Sequence, residues 1–288
     1  MNKFAVIDIG SNSVRLMFVA DGKVLYKRLN TTRLGEGIAI EPILKEEAID
    51  RTAQAVATFY SQAKADGAKK TYAFATAAVR TAKNGREFIE KVSALCGLNV
   101  EILSGEEEAE IGILGALGNA DGAVIDMGGA STELIVKEKG VIVYKKSVNL
   151  GVVRLKDTCG RDKDKLLKAS HEASKSYGKI PKIDTATAIG GTATTLASLE
   201  NGLQVYESEK ITGTLISVET MQKWAEKLLN TPIKEIEAMP CMPKGRADVL
   251  AGGALWLAVM MKTLGIEKCI VSDCDNLEGY AIERGLME

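Results

Sequence analysis

The stretch that decides the fold occurs twice, each time at the end of an apolar segment. Residues 4–13 read Phe-Ala-Val-Ile-Asp-Ile-Gly-Ser-Asn-Ser, and residues 123–132 read Ala-Val-Ile-Asp-Met-Gly-Gly-Ala-Ser-Thr. Each copy is followed by a second apolar segment, a turn that contains glycine and a third segment of strand character. The repeat predicts two units of the same design, with their boundary near Asp121 and Gly122.

The residue types in the repeat suit the binding of phosphate beside a divalent cation. Glycine lets the backbone approach a ligand closely, while main-chain N–H groups and hydroxyls donate to phosphate oxygens. Asp8 and Asp126 stand at the strand ends, where a carboxylate can hold a metal ion. Aspartate before glycine also closes ordinary β-turns, and one copy alone would be explained about as well in that way. Two copies at equivalent positions favour a phosphate clamp made of two facing loops.

Composition limits the class of protein. The chain has 288 residues, enough for two domains, and a net charge of −1, which argues against a surface for duplex nucleic acid. The longest apolar stretch, residues 249–261, is too short to span a bilayer, so we expect no membrane association. Five cysteines and a start without a secretion signal predict reduced thiols and a cytoplasmic protein.

The single histidine, His171, argues against serine–histidine catalysis and against metal sites with several histidines.

Strand-like and helix-like segments alternate along the chain, which is typical of the α/β class. Residues 28–36 read as a charged loop, and Ser104 with Glu107 has the form of a capping box at a helix start. A third apolar strand ends in the glycine pair Gly190-Gly191 (the third glycine pair), which either permits a tight turn or opens a helix whose N-terminus attracts an anion. The main predicted helices cover 45–66, 85–96, 104–117, 218–229 and 249–261, and the later strands 71–76, 99–103 and 268–272.

Six segments along the chain form a set of motifs: residues 8–13 with Arg15, 75–80, 104–109, 126–133, 150–154 and 190–192. Together and in this order they resemble the exopolyphosphatase / guanosine pentaphosphate phosphatase family, within the superfamily of actin-like, sugar-kinase and Hsp70 ATPase folds. The resemblance covers nearly the whole chain. A single glycine loop would be weak evidence, but matched segments in the family's order are strong evidence.

The resemblance implies two actin-like, ribonuclease H-like α/β domains with a cleft between them, at residues 1–121 and 122–288. In this arrangement the terminal helix can pack back on the first domain. The implied reaction releases terminal orthophosphate from inorganic polyphosphate or guanosine pentaphosphate (pppGpp), with Mg²⁺ or Mn²⁺ as cofactor. The implied ligands are polyphosphate or guanosine penta- and tetraphosphate. The resemblance leaves open whether the protein forms a homodimer, because longer family members often pair through a C-terminal domain that we do not find in this sequence.

The resemblance also assigns roles to individual residues. Glu108 is the base that orients the attacking water, Asp126 and Glu133 are further catalytic acids, and Asp8 and Asp126 are the metal ligands. Arg80, Arg15 and Arg154 neutralise substrate charge. The substrate-binding set is completed by the loop residues Gly10, Ser11, Asn12, Ser13, Gly128, Gly129, Ala130, Ser131, Thr132, Gly190 and Gly191.

Without the resemblance, simpler explanations stand beside these roles. Arg80 would be an ordinary solvated arginine, and Arg15 would lie on the polar face of its strand. Arg246 would pair with Asp248 or cap the apolar helix that follows it.

Two positions depart from the family pattern. Ala130 stands where a third glycine is usual, and Leu277 stands where an arginine is usual, next to the additional acid Asp275. These departures motivate a sensor that binds alarmone or polyphosphate without turnover. An ATP-dependent kinase of the same superfold is the other alternative, with the third glycine pair facing a nucleotide. Glu108, both loop acids and Arg80 are retained, which favours the hydrolase.

Overall fold

The computed structural model describes residues 2–287, and its strands form two mixed β-sheets with helices packed on them. All strands before Gly122 belong to the first sheet, whose spatial order is β3-β2-β1-β4-β5. Its strands are β1 Lys3–Ile9, β2 Ser13–Ala20, β3 Lys23–Thr31, β4 Lys70–Ala75 and β5 Glu101–Ile102. The helices of this part are α1 Glu46–Ala65, α2 Ala77–Thr81, α3 Gly85–Cys96 and α4 Gly105–Leu117.

The strands from Gly122 onward form the second sheet, in the order β10-β11-β9-β6-β7-β8. They are β6 Gly122–Met127, β7 Thr132–Glu138, β8 Val141–Val148, β9 Thr185–Ile189, β10 Leu215–Ser217 and β11 Lys268–Val271. Its helices are α5 Val152–Cys159, α6 Lys163–Lys175, α7 Gly191–Glu200, α8 Ser208–Ile211, α9 Val218–Asn230, α10 Ile233–Glu237, α11 Ala247–Leu264 and α12 Asn276–Glu283.

The two sheets share one strand arrangement. In each sheet the first strand pairs antiparallel with the second and parallel with the fourth, as β1 does with β2 and β4 and β6 does with β7 and β9. The glycine loops predicted from the repeat leave the carboxyl ends of β1 and β6, and the third glycine pair leaves β9. Ligands of α/β sheets bind at such strand ends. The predicted fold class is confirmed by this duplicated arrangement.

The terminal helix α12 lies on the first part of the chain. Leu277 and Tyr280 are buried with Phe4 and Phe74 of the first sheet. The helix also packs on α4 with its backbone in direct contact, since a methyl group added to Gly279 would lie 1.7 Å from the carbonyl oxygen of Ile111. Leu277 therefore fills a core site, which explains an apolar residue at this position.

Helix α11 is the central helix of the second part of the chain. Its 18 residues are long and apolar enough to cross a membrane by length and composition, but 78% of them are buried inside the protein. Helices α5, α6 and α9 cover it, and Trp256 is fully buried. This helix is longer than the predicted residues 249–261, and its apolar surface is part of the protein core.

Of the predictions for local structure, one is confirmed and one is partly wrong. The capping box is confirmed, because Ser104 Oγ accepts from the Glu107 N–H at 3.1 Å and Glu107 accepts from the Ser104 N–H at 2.8 Å. The predicted loop at 28–36 is wrong for its first four residues. Strand β3 continues to Thr31, because its main chain stays paired with β2 as far as Ser13. No disulfide joins the five cysteines, all of which are among the described residues.

Candidate active site

The two glycine loops have the same turn. The N–H of Gly10 donates to the carbonyl of Ser13 at 3.0 Å, and the N–H of Gly128 donates to that of Ser131, also at 3.0 Å. A following segment fixes the carbonyls of each loop. Main-chain N–H groups of residues 32–35 bind the first loop, and those at the start of α5 bind the second. The repeat in the sequence is therefore a repeat in hydrogen bonding.

The loops face each other across the cleft between the two sheets. A methyl group added to Gly129 would lie 2.7 Å from Cβ of Ser11 and 3.2 Å from the main-chain nitrogen of Asn12. Only glycine fits this contact, which explains its place in the second loop. The loops border one cavity of about 420 Å³, whose wall contains the predicted residues Asp8, Gly10, Ser11, Asn12, Ser13, Arg15, Glu108, Asp126, Gly128, Gly129, Ala130, Ser131, Gly190 and Gly191.

Asp8 is buried at the cavity wall with only one of its carboxylate oxygens engaged. Oδ2 accepts from Nε of Arg15 at 3.0 Å, whereas the buried Oδ1 has no hydrogen-bond partner within residues 2–287. Burial raises the pKa of Asp8, and Arg15 only partly offsets that effect. The free oxygen is available to a cation or a donor in the cavity.

Glu108 lies in the first turn of α4 and reaches the same cavity. Its Oε2 accepts from Nη1 of Arg80 at 2.8 Å, and Arg80 also donates to the carbonyl of Leu103 at 2.8 Å. Burial raises the pKa of Glu108, and the charge of Arg80 opposes this rise. The carboxylate is thus desolvated but held by a cation, an arrangement that suits a base. Arg80 contacts the base and is not part of the cavity wall.

Two further buried acids adjoin Glu108. Burial, followed by the charge of Glu108, raises the pKa of Asp126 to about 7 and that of Glu133 to about 8. Asp126 accepts from Nδ2 of Asn276 at 3.1 Å, and Glu133 accepts from the hydroxyl of Ser147 at 2.6 Å. So many adjacent carboxylates cannot all ionise cheaply at neutral pH unless a cation lies among them.

The oxygen atoms at the cavity fit a hard cation such as Mg²⁺. No cluster of three His, Cys, Asp or Glu side chains suited to a metal occurs in the part of the chain that the structure describes. Mg²⁺ is usually bound through one or two carboxylates plus waters and substrate phosphates, so it does not require such a cluster. Asp8 and Asp126 could supply these carboxylates, because both line the cavity. Two buried oxygens, Asp8 Oδ1 and Asn12 Oδ1, lack partners among residues 2–287, as expected where a ligand would complete the site.

Thr132, predicted to bind substrate, lies outside the cavity wall. This residue is 0% exposed, and its hydroxyl donates to the carbonyl of Leu150 at 2.6 Å. The same hydroxyl accepts from Nε1 of Trp256 at 2.9 Å. The Thr132 hydroxyl is therefore engaged in the core at the start of β7, and its role in substrate binding stays a prediction.

Arg154 and Glu133 also lie outside the cavity wall. Nε of Arg154 donates to the carbonyl of Ala130 at 2.8 Å, so this arginine supports the second loop from behind. Glu133 is buried opposite Asp126 in the pairing of β6 with β7, and its own pKa is raised by burial and by the charges of Glu108 and Asp126. Their predicted roles in charge neutralisation and catalysis stay predictions.

Arg246 is a functional candidate that the sequence did not indicate. Asp248 pairs with Arg33 and Lys156 instead of Arg246. Arg246 occupies the N-cap position of α11, but its side chain makes no capping bond there. The residue is 6% exposed, and its guanidinium lies against Gly191 and has no carboxylate partner in residues 2–287. Burial and nearby Arg15 lower its pKa to about 10. A buried cation without a counter-charge at this wall is suited to an anionic ligand.

The cavity wall also contains less polar side chains. Leu29, Tyr206, Met242 and Pro243 belong to it together with the residues of the two glycine loops. A cavity lined in this way suits a ligand that has both a phosphate and an apolar group.

Comparison with known proteins agrees with this geometry. The sequence profile of the Ppx/GppA phosphatase family matches residues 19–285. Exopolyphosphatase 2 of Mycobacterium tuberculosis is 28% identical over 314 aligned positions, which cover 98% of each chain. The guanosine-5'-triphosphate,3'-diphosphate pyrophosphatase of Photobacterium profundum is 29% identical over 99% of this chain and 58% of its own length.

A solved structure extends the agreement to three dimensions. The crystal structure of the Aquifex aeolicus Ppx/GppA family member has a TM-score of 0.78 and is 29% identical, covering 99% of this chain and 97% of its own. The family profile matches most of the chain, and the solved structure has a similar fold over nearly the entire length of the chain. The chain belongs to the Ppx/GppA phosphatase family and is an enzyme of the phosphoanhydride hydrolase class.

Proposed function

We propose that the enzyme releases terminal orthophosphate from inorganic polyphosphate, guanosine pentaphosphate or both, with a divalent metal ion as cofactor. The main support for this proposal is the position of Glu108. Glu108, desolvated and ion-paired with Arg80, borders the cavity between two glycine loops that have the same turn. A positioned carboxylate facing a phosphate site is the arrangement that hydrolysis by water requires.

Each group of residues has a part in the reaction. The N–H groups and hydroxyls of the two loops hold the terminal phosphate, and the Arg246 guanidinium neutralises part of its charge. Glu108 accepts a hydrogen bond from the attacking water and orients it towards phosphorus. Mg²⁺, held by Asp8 and Asp126, would supply charge neutralisation on the phosphate oxygens. Positioning and electrostatic stabilisation are the main contributions that phosphoryl transfer needs from a protein.

The two alternatives from the sequence receive less support. The sensor hypothesis relied on Ala130 and on the loss of a cation at position 277. Leu277, however, fills the core, and Arg246 adds a buried cation at the cavity. The kinase hypothesis needs a site for a second substrate that accepts the phosphate, with a base that acts on the hydroxyl of that substrate. The cavity contains one desolvated glutamate beside the phosphate loops, which suits water as the acceptor. We further propose a cytoplasmic location, in keeping with the reduced cysteines.

The test measures orthophosphate release by the purified protein with Mg²⁺ from long-chain polyphosphate, guanosine pentaphosphate and ATP. Wild type is compared with Glu108→Gln and with Glu106→Gln, an exposed glutamate in the same helical turn. We expect release that falls by about 10²–10⁴-fold in Glu108→Gln and stays at the wild-type level in Glu106→Gln. Equal rates in wild type and Glu108→Gln would refute the assigned base. If wild type released no orthophosphate from polyphosphate or from guanosine pentaphosphate, the proposed function would be refuted.

A further inference from the structure

The segment that joins β11 to α12, together with Asn276, the first residue of α12, contacts the acids of both glycine loops. Asn276 donates from Nδ2 to Oδ2 of Asp126 at 3.1 Å. Asp275 accepts from Nη1 of Arg15, and Nε of the same guanidinium donates to Oδ2 of Asp8 at 3.0 Å. Asn276 thus contacts Asp126 directly, and Asp275, the residue before it, contacts Asp8 through Arg15.

Both residues are buried, and their polar atoms are costly to place there. Asn276 Oδ1 has no hydrogen-bond partner among the described residues, so its amide is only half satisfied by the protein. Asp275 is 5% exposed and, like Asn276, belongs to the cavity wall. Although burial favours its neutral form, Arg15 and Lys27 keep the pKa of Asp275 below its ordinary value. A charged carboxylate and an unsatisfied amide in a protein interior need a functional or a structural reason.

The segment is held rigidly, so its side chains can orient others. Asp275 Oδ1 accepts from the N–H of Leu277 at 3.1 Å, and Glu278 accepts from the N–H of Asp275 at 3.0 Å. These bonds form the capping box of α12. Helix α12 in turn lies with its backbone against α4, the helix that carries Glu108. One pair of helices therefore carries the base and the contacts to both loop acids.

We propose that Asn276, and Asp275 acting through Arg15, are positioning residues that hold the carboxylates of Asp126 and Asp8 in the orientation that binds the metal ion. The proposal rests on the proposed function, in which these two acids are the metal ligands. Partners that hydrogen-bond to a ligating carboxylate set its direction, and their loss typically weakens metal binding by about 10–100-fold. In each acid the bond to the positioning group engages Oδ2, and in Asp8 it leaves Oδ1 free for the cation.

The primary experiment measures Mn²⁺ binding to the purified full chain by electron paramagnetic resonance, without substrate. Asn276→Leu removes the amide and keeps a similar volume. Asp275→Asn keeps the capping oxygen for α12 but removes the charge that holds Arg15. We expect both variants to bind Mn²⁺ about 10–100-fold more weakly than wild type, and we expect orthophosphate release to recover at saturating Mn²⁺.

A control and a second readout separate positioning from a structural role. Ser272→Ala removes a buried hydroxyl from the same segment, where it bonds to Cys274 and not to the loop acids. We expect Mn²⁺ binding within twofold of wild type for this variant. Excess metal restores the rate only if the defect lies in metal binding, so a rate that stays low at saturating Mn²⁺ contradicts the proposal.

The remaining outcomes are distinguishable from failure of the proposed function. Unchanged Mn²⁺ affinity in both Asn276→Leu and Asp275→Asn, in an enzyme that releases phosphate, overturns this inference alone. A wild-type protein that neither binds Mn²⁺ nor releases phosphate overturns the function and the inference together. Thermal unfolding of each variant, followed by circular dichroism, confirms that the folded protein is measured.

Discussion

Arg80 donates from Nη1 to Oε2 of Glu108 at 2.8 Å, so the predicted base and a predicted substrate cation are partners of each other. Arg80 lies at the end of the short helix α2, and Glu108 lies in the first turn of α4. Burial raises the pKa of Glu108 and the charge of Arg80 lowers it, which leaves the carboxylate able to act as a base. In the proposed reaction, Arg80 would therefore act through the protonation state of Glu108.

Replacing Arg80 should therefore change the pH dependence of the reaction. Without the guanidinium, burial acts unopposed and the pKa of Glu108 rises further, so a smaller fraction is deprotonated at neutral pH. We expect Arg80→Ala to move the acidic limb of the rate profile to higher pH and to lower the rate at pH 7 by about 100-fold. Phosphate release between pH 5 and 9 measures both effects. Arg86→Ala, an exposed change on α3, is the control, and an unshifted limb in Arg80→Ala would contradict the assignment.

Arg246 should affect activity and stability in opposite directions. Removing a buried cation that has no counter-charge relieves a desolvation cost, so Arg246→Met should raise the thermal unfolding midpoint. The same change removes a charged contact to substrate, worth about 1.5–3 kcal/mol, which lowers kcat/KM by about 10–100-fold. Arg246→Lys should recover only part of kcat/KM, because an ammonium group lacks the planar fork. A variant that loses stability and keeps its kcat/KM would show that Arg246 is structural.

The crossing of α4 and α12 should tolerate no side chain at Gly279. A methyl group there would lie 1.7 Å from the carbonyl oxygen of Ile111, so the helices must separate. We expect Gly279→Ala to lower the free energy of unfolding in urea by about 1–3 kcal/mol or more. Gly252→Ala is the matched control, because its methyl group meets nothing closer than 3.4 Å in the buried helix α11. Equal stability of the two variants would contradict the contact.

The buried acids predict how stability depends on pH in the absence of metal. The pKa of Asp126 is raised from 3.8 to about 7, so the folded protein holds a proton that the unfolded chain has lost. Stability should therefore fall as pH rises from about 4 towards 8. Asp126→Asn should weaken this fall, and Mg²⁺ should reverse it in wild type. Thermal unfolding with a chelator and with Mg²⁺, between pH 5 and 8.5, measures these differences. Stability that rises with pH under chelation would contradict the prediction.

The sequence alone determined the features that depend on neighbouring residues. The duplicated turn followed from residue types within about ten positions, because glycine, serine and an acid at a strand end specify their own main-chain bonds. Both loops close with the same N–H to carbonyl bond at 3.0 Å, as the repeat predicts. The capping box at Ser104 and the alternation of strands and helices are local in the same sense. The end of β3 was missed because its pairing depends on β2 and not on its own polar residues.

Only the tertiary structure decided which side chains meet at the cavity. Thr132 follows the second loop directly, yet its hydroxyl is buried in the core, where it accepts a hydrogen bond from Trp256, 124 positions later. Arg246 reaches the third glycine pair and Asn276 reaches Asp126, in each case from a distant segment. A local pattern specifies turns and helix ends because their hydrogen bonds join residues a few positions apart. The burial and charge that give these distant side chains their roles arise only when packing brings their segments together.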